Sequence, residues 1–335
     1  MAEYIVRRLG HSLILIVCVS MITFLVIQAP PGDYASYVIT RFQNAPMTEE
    51  MRKIRIEEVR RRYNLDDPLH MQYVHWIWGI ITEGNFGLSF SWDKPISRLL
   101  RERMPITLMI GMLALFFQYV VAIPVGVFTA LKQNSVADYG ITLFSFLGMS
   151  IPGFLLALVL IVILFNAFNF PVGGLYSPEY RTAPWSLDKL VDLAKHLVVP
   201  VVVVAASSTA GTIRVLRATL LDEFGKDYMR VARAKGLSEG TIIFKYPLRV
   251  AMNPIIAGFG WSLPLLVSGS LLVSLVANIP DLGPLLHEAL QAQDMYLAGS
   301  ILLLVSTLTI VGTLISDILL AISDPRISYS GVHES

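Results

Sequence analysis

Six stretches of the chain, residues 9–32, 106–131, 139–170, 197–213, 250–280 and 295–316, contain no Asp, Glu, Lys or Arg, and together they hold close to half of its 335 residues. Most of them reach or exceed the roughly 18 to 20 residues that cross a hydrocarbon core about 30 Å thick. In lipid an unpaired backbone N–H or C=O finds no water, so only helices, or barrels closed on themselves, satisfy such a stretch. Charged residues make up only 15% of the chain, against about 25% in an ordinary soluble domain. The expected fold class is an all-α polytopic membrane protein with six transmembrane helices. The net charge of +1 carries no signal for nucleic acid, and the lone cysteine, Cys18, excludes an internal disulfide and a cysteine-cluster metal site.

The first stretch follows Arg7 and Arg8 as a signal peptide would, but its apolar run continues to Ile27 with no A-x-A site after it, so it reads as a retained first helix. Basic residues then set the topology. They fall before the first span (Arg7, Arg8), between the second and third (Lys132), and after the sixth (Arg326). Eight lie between the fourth and fifth: Arg214, Arg217, Lys226, Arg230, Arg233, Lys235, Lys245 and Arg249. The connection 278–294 has none, and the long segment 30–105 is exempt because long loops translocate regardless of charge. Both termini are expected in the cytoplasm. The chain divides into an N-terminal transmembrane helix (1–29), an extracytoplasmic helical segment (30–104) and a core of five further spans (105–335) that includes a cytoplasmic loop, 215–249.

In the extracytoplasmic segment, Thr48 suits an N-cap with Glu49 and Glu50 in the first turn, and Met51, Ile54, Val59 and Tyr63 recur at helical spacing. Asp67-Pro68 can cap and start a second helix with Leu69, Tyr73, Trp76, Ile77 and Ile80 near one face, closed by Gly84-Asn85-Phe86-Gly87. These aromatics suit a membrane interface as well as a ligand. Within the third stretch Pro152-Gly153, after Ser150, should kink or break the helix. The short fourth stretch carries the small residues 205–211, which let helices approach closely.

The loop from Leu221 to Pro254 is the most informative segment. Asp222 can cap a helix in which Tyr228, Val231, Ala232 and Lys235 follow at three-to-four spacing, Gly236 supplies a positive-φ end, and Ser238 can cap a second helix with Ile242, Ile243 and Phe244. A short amphipathic helix, a glycine turn and another helix between two spans form a protrusion suited to a groove on a soluble partner. An interfacial basic helix on anionic lipid would account for the basic residues, though not for the central Ala-x-Ala-x-Gly.

The run Ala232-Arg233-Ala234-Lys235-Gly236-Leu237-Ser238, with Pro254 beyond, resembles the "EAA" loop of membrane subunits of binding-protein-dependent ABC importers. Arg7-Arg8-Leu9, Phe24, Pro31-Gly32-Asp33, Leu65-Asp66-Asp67-Pro68, Tyr73, Trp76, Gly84-Asn85-Phe86-Gly87-Leu88-Ser89, Pro105-Ile106-Thr107-Leu108 and Asp324-Pro325-Arg326 resemble the first permease of the dipeptide/oligopeptide/nickel group. Val231 stands where the signature has Glu, and Pro247 stands where the group has a helix former; Pro247 suits the first turn of the fifth span. The resemblance implies the type I ABC importer permease fold. It also implies two ABC ATPase subunits carrying ATP and magnesium, a second homologous permease and an extracytoplasmic substrate-binding protein, all at a bacterial or archaeal cytoplasmic membrane. This chain binds no cofactor and no metal in that scheme, and holds no catalytic residue. Consistently, no G-x-x-x-x-G-K-[ST] occurs, and the only Gly-Lys pair, Gly225-Lys226, is followed by Asp227.

In the coupling role the resemblance implies, Gly236 is the turn, Ala232 and Ala234 are close-contact positions, Leu237 is an inserted apolar residue, and Tyr228, Arg233 and Lys235 flank them. Ser150, Pro152, Asn253 and Ser268 are polar or kink positions in apolar spans and are candidates to line a pathway. Peptides are the group's leading substrate. The long, charged segment 33–62 keeps oligosaccharides in play, and nickel chelates belong to the same machinery. Two rival classes have thin support. A secondary transporter needs charges at membrane depth, and only His11 and Asp317 stand near span ends. A membrane enzyme would need a motif that His287-Glu288-Ala289-Leu290-Gln291 and Gly148-Met149-Ser150-Ile151-Pro152 each miss by one residue, while His70 and His75 are five apart and off a common helical face.

Overall fold

The structure, a computed structural model, describes residues 2–29, 48–62 and 66–323; the side chains of residues 2, 49, 52, 55, 56, 59, 62, 261 and 263–269 are outside that description. Tyr63, Leu65, Pro31-Gly32-Asp33 and Asp324-Pro325-Arg326, named above, also lie outside it. The helices are α1 (Ala2–Gln28), α2 (Glu49–Arg62), α3 (Leu69–Glu83), α4 (Ile96–Leu131), α5 (Val136–Ser150), α6 (Gly153–Phe168), α7 (Leu187–Phe224), α8 (Asp227–Ala234), α9 (Glu239–Lys245), α10 (Pro247–Ala251), α11 (Asn253–Val276), α12 (Leu282–Gln291) and α13 (Met295–Ser323). A two-residue antiparallel ribbon, β1 (Leu88–Ser89) with β2 (Lys94–Pro95), precedes α4.

Helices α1, α4, α7 and α13 are long and apolar enough to cross a membrane, and α5 and α6, bent by 108° at their junction, reach that length and apolarity together, which makes five if the pair counts as one span. The bend falls at Ile151-Pro152, where Pro152 cannot continue the hydrogen-bond ladder and instead begins α6 as its N-cap. Helix α11, 24 residues drawn from the charge-free stretch 250–280, is about 36 Å long at 1.5 Å per residue, so its length is compatible with a sixth span. The fourth stretch differs from the expectation of a short span: α7 runs for 38 residues because its charged flanks are helical too. Pro247 starts the short α10 instead of the long helix that follows, and α11 begins at Asn253-Pro254.

The chain forms two compact units: Met1–Ser12 with Arg103–Leu285 and Leu308–Ser335, and Leu13–Glu102 with Leu286–Thr307. In the first, α7 is the central post, and three apolar clusters are spaced along it. Leu193 and Leu197 pack with Ile110, Ala277 and Ile279 near its start. Val199 and Val203 pack with Ala157 of α6 and Val273 of α11. Leu216 and Leu220 pack with Val127, Ala130, Ile243, Ala251 and Ile255 near its end. Between the last two lies the small-residue run, where a Cβ on Gly148 of α5 would sit 3.8 Å from Ala206 O and from Ala210 Cβ. The run thus lets α5 lie close on α7.

In the second unit, Phe24 of α1 meets the rings of Tyr73 and Trp76 of α3 at 5.6 and 5.8 Å, and the Ser20 and Tyr73 hydroxyls are 2.8 Å apart. Helix α3 begins after Pro68 rather than Asp67 and ends at Gly84, φ +62°, as its turn chemistry requires. Its Tyr73, Trp76, Ile77 and Ile80 are half-buried, whereas Leu69 is exposed. Asp294 is fully buried and holds the ribbon: its Oδ2 accepts from Ser89 Oγ (2.6 Å), Phe90 N (2.7 Å), and Ser91 N and Oγ (both 3.0 Å). Its Oδ1 caps α13 through Leu297 N at 3.2 Å.

Candidate functional site

The loop between the fourth and fifth apolar stretches folds as a helix, a turn and a helix rooted on the end of α7. That helix ends at Phe224, capped by Gly225, so Asp222 lies inside its last turn and does not cap α8; Lys226 occupies that position without a side-chain cap bond. The anchoring carboxylate is Glu223, which is buried. It accepts from Lys226 Nζ and, at 2.6 Å, from the Tyr228 hydroxyl. Burial, and then the Glu223 acceptor, push the Tyr228 phenol well above its ordinary range. Sequence reasoning missed Glu223 because it sought a cap at the start of a helix, whereas this acid belongs to the end of the preceding one.

Helix α8 turns Met229 and Ala232 inward against Ile242 of α9, with Phe224 and Tyr228 at the edge of the cluster. Ala232, named as a close-contact position, is 6% exposed, and its small size serves the approach of α9. Helix α8 closes in a Schellman turn, in which Gly236 N donates to Arg233 O (2.9 Å) and Leu237 N to Ala232 O (3.5 Å). Gly236 has φ +74°, and a Cβ there would meet nothing within 4 Å, so only the backbone conformation demands glycine. Ser238 caps α9 as expected, accepting from Thr241 N at 3.4 Å. Arg233 Nε donates to Glu239 Oε1 at 2.8 Å, bracing the two helices across the turn; Arg233 holds the Glu239 carboxyl below the usual range. Arg233, Ala234, Lys235 and Leu237 face outward. Val231 (54%), Phe244 (68%) and Leu237 (37%) are exposed apolar side chains of the same helix–turn–helix, which also exposes Arg233 and Lys235. Exposed apolar side chains beside basic ones suit a surface that meets another protein or a membrane.

Among the described residues no hydrogen bond links Ser150, Pro152 and Asn253 to one another. Ser150 Oγ donates to Phe146 O of its own helix at 2.8 Å, Pro152 marks the bend, and half-buried Asn253 accepts from Ser323 Oγ at 3.5 Å. Ser268 has its side chain outside the described set. Polar groups at depth that the sequence reading passed over are Gln118 and Thr209. Gln118 Nε2 donates to Thr212 Oγ1 at 2.9 Å, and buried Thr209 Oγ1 has no hydrogen-bond partner among the described residues. A cavity of about 750 Å3 between α4 and α7 is lined by apolar side chains such as Met109, Phe116, Leu197 and Val201, with no polar group to orient a solute. Asp317, the candidate ion carrier of a secondary transporter, is paired with Arg8 at 3.0 Å. Among the described residues no group of three His, Cys, Asp or Glu side chains is arranged to hold a metal ion.

Comparison with known proteins covers nearly the whole chain. The family model described as binding-protein-dependent transport system inner membrane component matches residues 122–329, and the companion model for the N-terminal part of such components matches residues 1–111. The oligopeptide transport system permease protein AppB of Bacillus subtilis (strain 168) is 35% identical over 333 residues, covering 98% of this chain and 100% of that protein. The dipeptide transport system permease protein DppB of Escherichia coli (strain K12) is 30% identical over 345 residues, covering 98% and 99%. The di/tripeptide transport system permease protein DppB of Pseudomonas aeruginosa (strain UCBPP-PA14) is 30% identical over 342 residues with the same coverage.

Proposed function

This chain belongs to the family of binding-protein-dependent transport system inner membrane components, and from that premise we propose that it forms half of the translocation path of an ATP-driven peptide importer. The observation that carries the coupling reading is the α8–turn–α9 pair, which exposes Val231, Leu237 and Phe244 together with Arg233 and Lys235. The chain has no P-loop, so ATP with its magnesium is hydrolysed on separate subunits. Two such ATPases each receive one loop, from this chain and from a second permease. Val231, Arg233, Ala234, Lys235, Leu237 and Phe244 enter the groove, while Tyr228, Ala232 and Gly236 hold the tip in shape. ATP favours the outward-facing state because closed ATPases hold the two loops close together, which is differential binding of two conformations. Both termini and the loop lie in the cytoplasm. The segment 30–104 with 278–294 forms the outer face on which a loaded binding protein docks. The names of the full-length relatives support peptides as the solute, ahead of oligosaccharides and nickel chelates.

The test is affinity purification of the tagged chain from its native membrane in mild detergent, followed by reconstitution in liposomes. Co-purification of Walker-motif ATPases and a second permease, with ATP-dependent peptide uptake in the presence of the binding protein, is the expected result. Recovery of this chain alone in a form that moves solute without ATP would refute the reading. Uptake that oligosaccharides inhibit and peptides do not would move the substrate.

A further inference from the structure

One ion pair in the first unit joins the root of the loop to the bent span. Arg217 of α7 donates through Nε to Asp138 Oδ1 (2.8 Å) and through Nη2 to Asp138 Oδ2 (2.7 Å), the fork geometry that guanidinium and carboxylate share. Asp138 is 1% exposed and stands in the first turn of α5. Ser135 caps that turn by accepting from Asp138 N at 3.2 Å, and the carboxylate reaches back to accept from Asn134 N at 3.0 Å. The acid is therefore fixed to the helix start by its own backbone, and any force on Arg217 reaches α5 through two parallel hydrogen bonds. Arg217 lies six residues before Glu223, about 9 Å along the axis of α7. At its other end α5 leads into the 108° bend and α6.

We propose that the Asp138–Arg217 pair is a positioning device for coupling: it makes α5, and with it the bent α5–α6 span, follow movements that the loop imposes on the end of α7. This rests on the coupling role assigned to the α8–turn–α9 tip. A neutral or apolar contact here would slide under load, whereas a bidentate fork onto a buried carboxylate fixes the guanidinium in one geometry.

The experiment uses the complete transporter in liposomes with wild type, Arg217→Lys, Asp138→Asn and Gly236→Asp chains. Solute imported per ATP hydrolysed is read at equal amounts of assembled complex. A second reading is the effect of ATP on the maleimide labelling rate of Val136→Cys in a Cys18→Ser background; Val136 is 90% exposed beside the pair. Arg217→Lys keeps the charge and loses the fork, and it is expected to lower the ratio by roughly tenfold, a typical coupling factor, and to abolish the ATP effect on position 136. Wild-type values for Arg217→Lys and Asp138→Asn beside an uncoupled Gly236→Asp would overturn the proposal while leaving the loop reading intact. A fully coupled Gly236→Asp would instead refute the loop reading. Failure of both Arg217→Lys and Asp138→Asn to assemble would make the pair a staple of the fold and equally overturn the proposal.

Discussion

Gly236 and Glu223 divide the loop's demands between backbone and side chain. At φ +74° with open space around it, position 236 charges any replacement only for left-handed backbone, roughly 1 to 2 kcal/mol for an L-residue and less for Asn. Gly236→Asn is therefore expected to keep more ATP-driven uptake than Gly236→Ala at equal expression, and Gly236→Val, β-branched, less than either. An order that followed side-chain size alone, with Ala above Asn, would show that space decides instead. Tyr228 makes the opposite case, a group whose partner sets its protonation. Its phenol is held above its ordinary value near 10, so the neutral form is the one the fold prefers. The stability it contributes is complete below the unfolded phenol's range and is lost as pH rises through the folded value. Tyr228→Phe is expected to lower thermal stability by about 2 kcal/mol at pH 7, as for loss of one hydrogen bond to a charged carboxylate, and the gap should narrow in strongly alkaline buffer. A gap unchanged at high pH would mean that the ring's packing and not its hydroxyl matters.

Among the elements, those whose ends are set by local chemistry are legible in the sequence. Pro152 breaks its helix, Gly84 and Gly236 close theirs, and Ser238 caps α9, because each effect is confined to one turn. Helix α7 is the element that the sequence hides, since its 38 residues include acids and bases that a charge count assigns to loops. Those near its start are satisfied internally: Asp192 accepts from Ser177 N (2.8 Å) and Oγ (2.7 Å), and Lys189 Nζ donates to Ala183 O (2.6 Å). A sequence shows the charge without its partner. The same limit applies to Ala232, whose smallness is visible in the sequence while the direction it faces is not. Helix approach at glycine is equally unreadable from sequence, and the fold turns it into a ranking. A Cβ on Gly260 would lie 2.6 Å from the backbone Cα of Thr313, whereas one on Gly126 would lie 2.9 Å from the tip of the Leu216 side chain. Backbone cannot step aside and a rotamer can, so Gly260→Ala is expected to cost more than the roughly 1 to 3 kcal/mol typical of overpacking, and Gly126→Ala less than Gly260→Ala. Thermal unfolding of the purified proteins in detergent checks the order, which equal losses would contradict.

For the whole molecule, orientation follows from how basic residues are shared between the connections, not from any one contact. The loop between the fourth and fifth apolar stretches holds eight Lys and Arg and the connection 278–294 holds none, an asymmetry that supports a cytoplasmic position for the first. The coupling reading requires this orientation independently, because ATP is a cytoplasmic fuel and the α8–turn–α9 tip must reach the subunits that hydrolyse it. The two arguments share no residue-level assumption, since one concerns insertion and the other the partner. Cys18 is the sole cysteine, so a Cys18→Ser chain is a clean background for labelling. Lys235→Cys and Glu288→Cys both replace exposed side chains in separate connections. A membrane-impermeant maleimide is expected to modify Lys235→Cys in inside-out vesicles and not in intact cells, and Glu288→Cys in intact cells with the outer barrier opened and not in inside-out vesicles. Labelling of position 235 from outside would invert the topology and place the tip out of reach of any ATPase, ending the coupling assignment. Labelling of both positions from the cytoplasmic side would mean an even number of crossings between them, so that α11 would not cross the membrane as a single span and the count of six would fall.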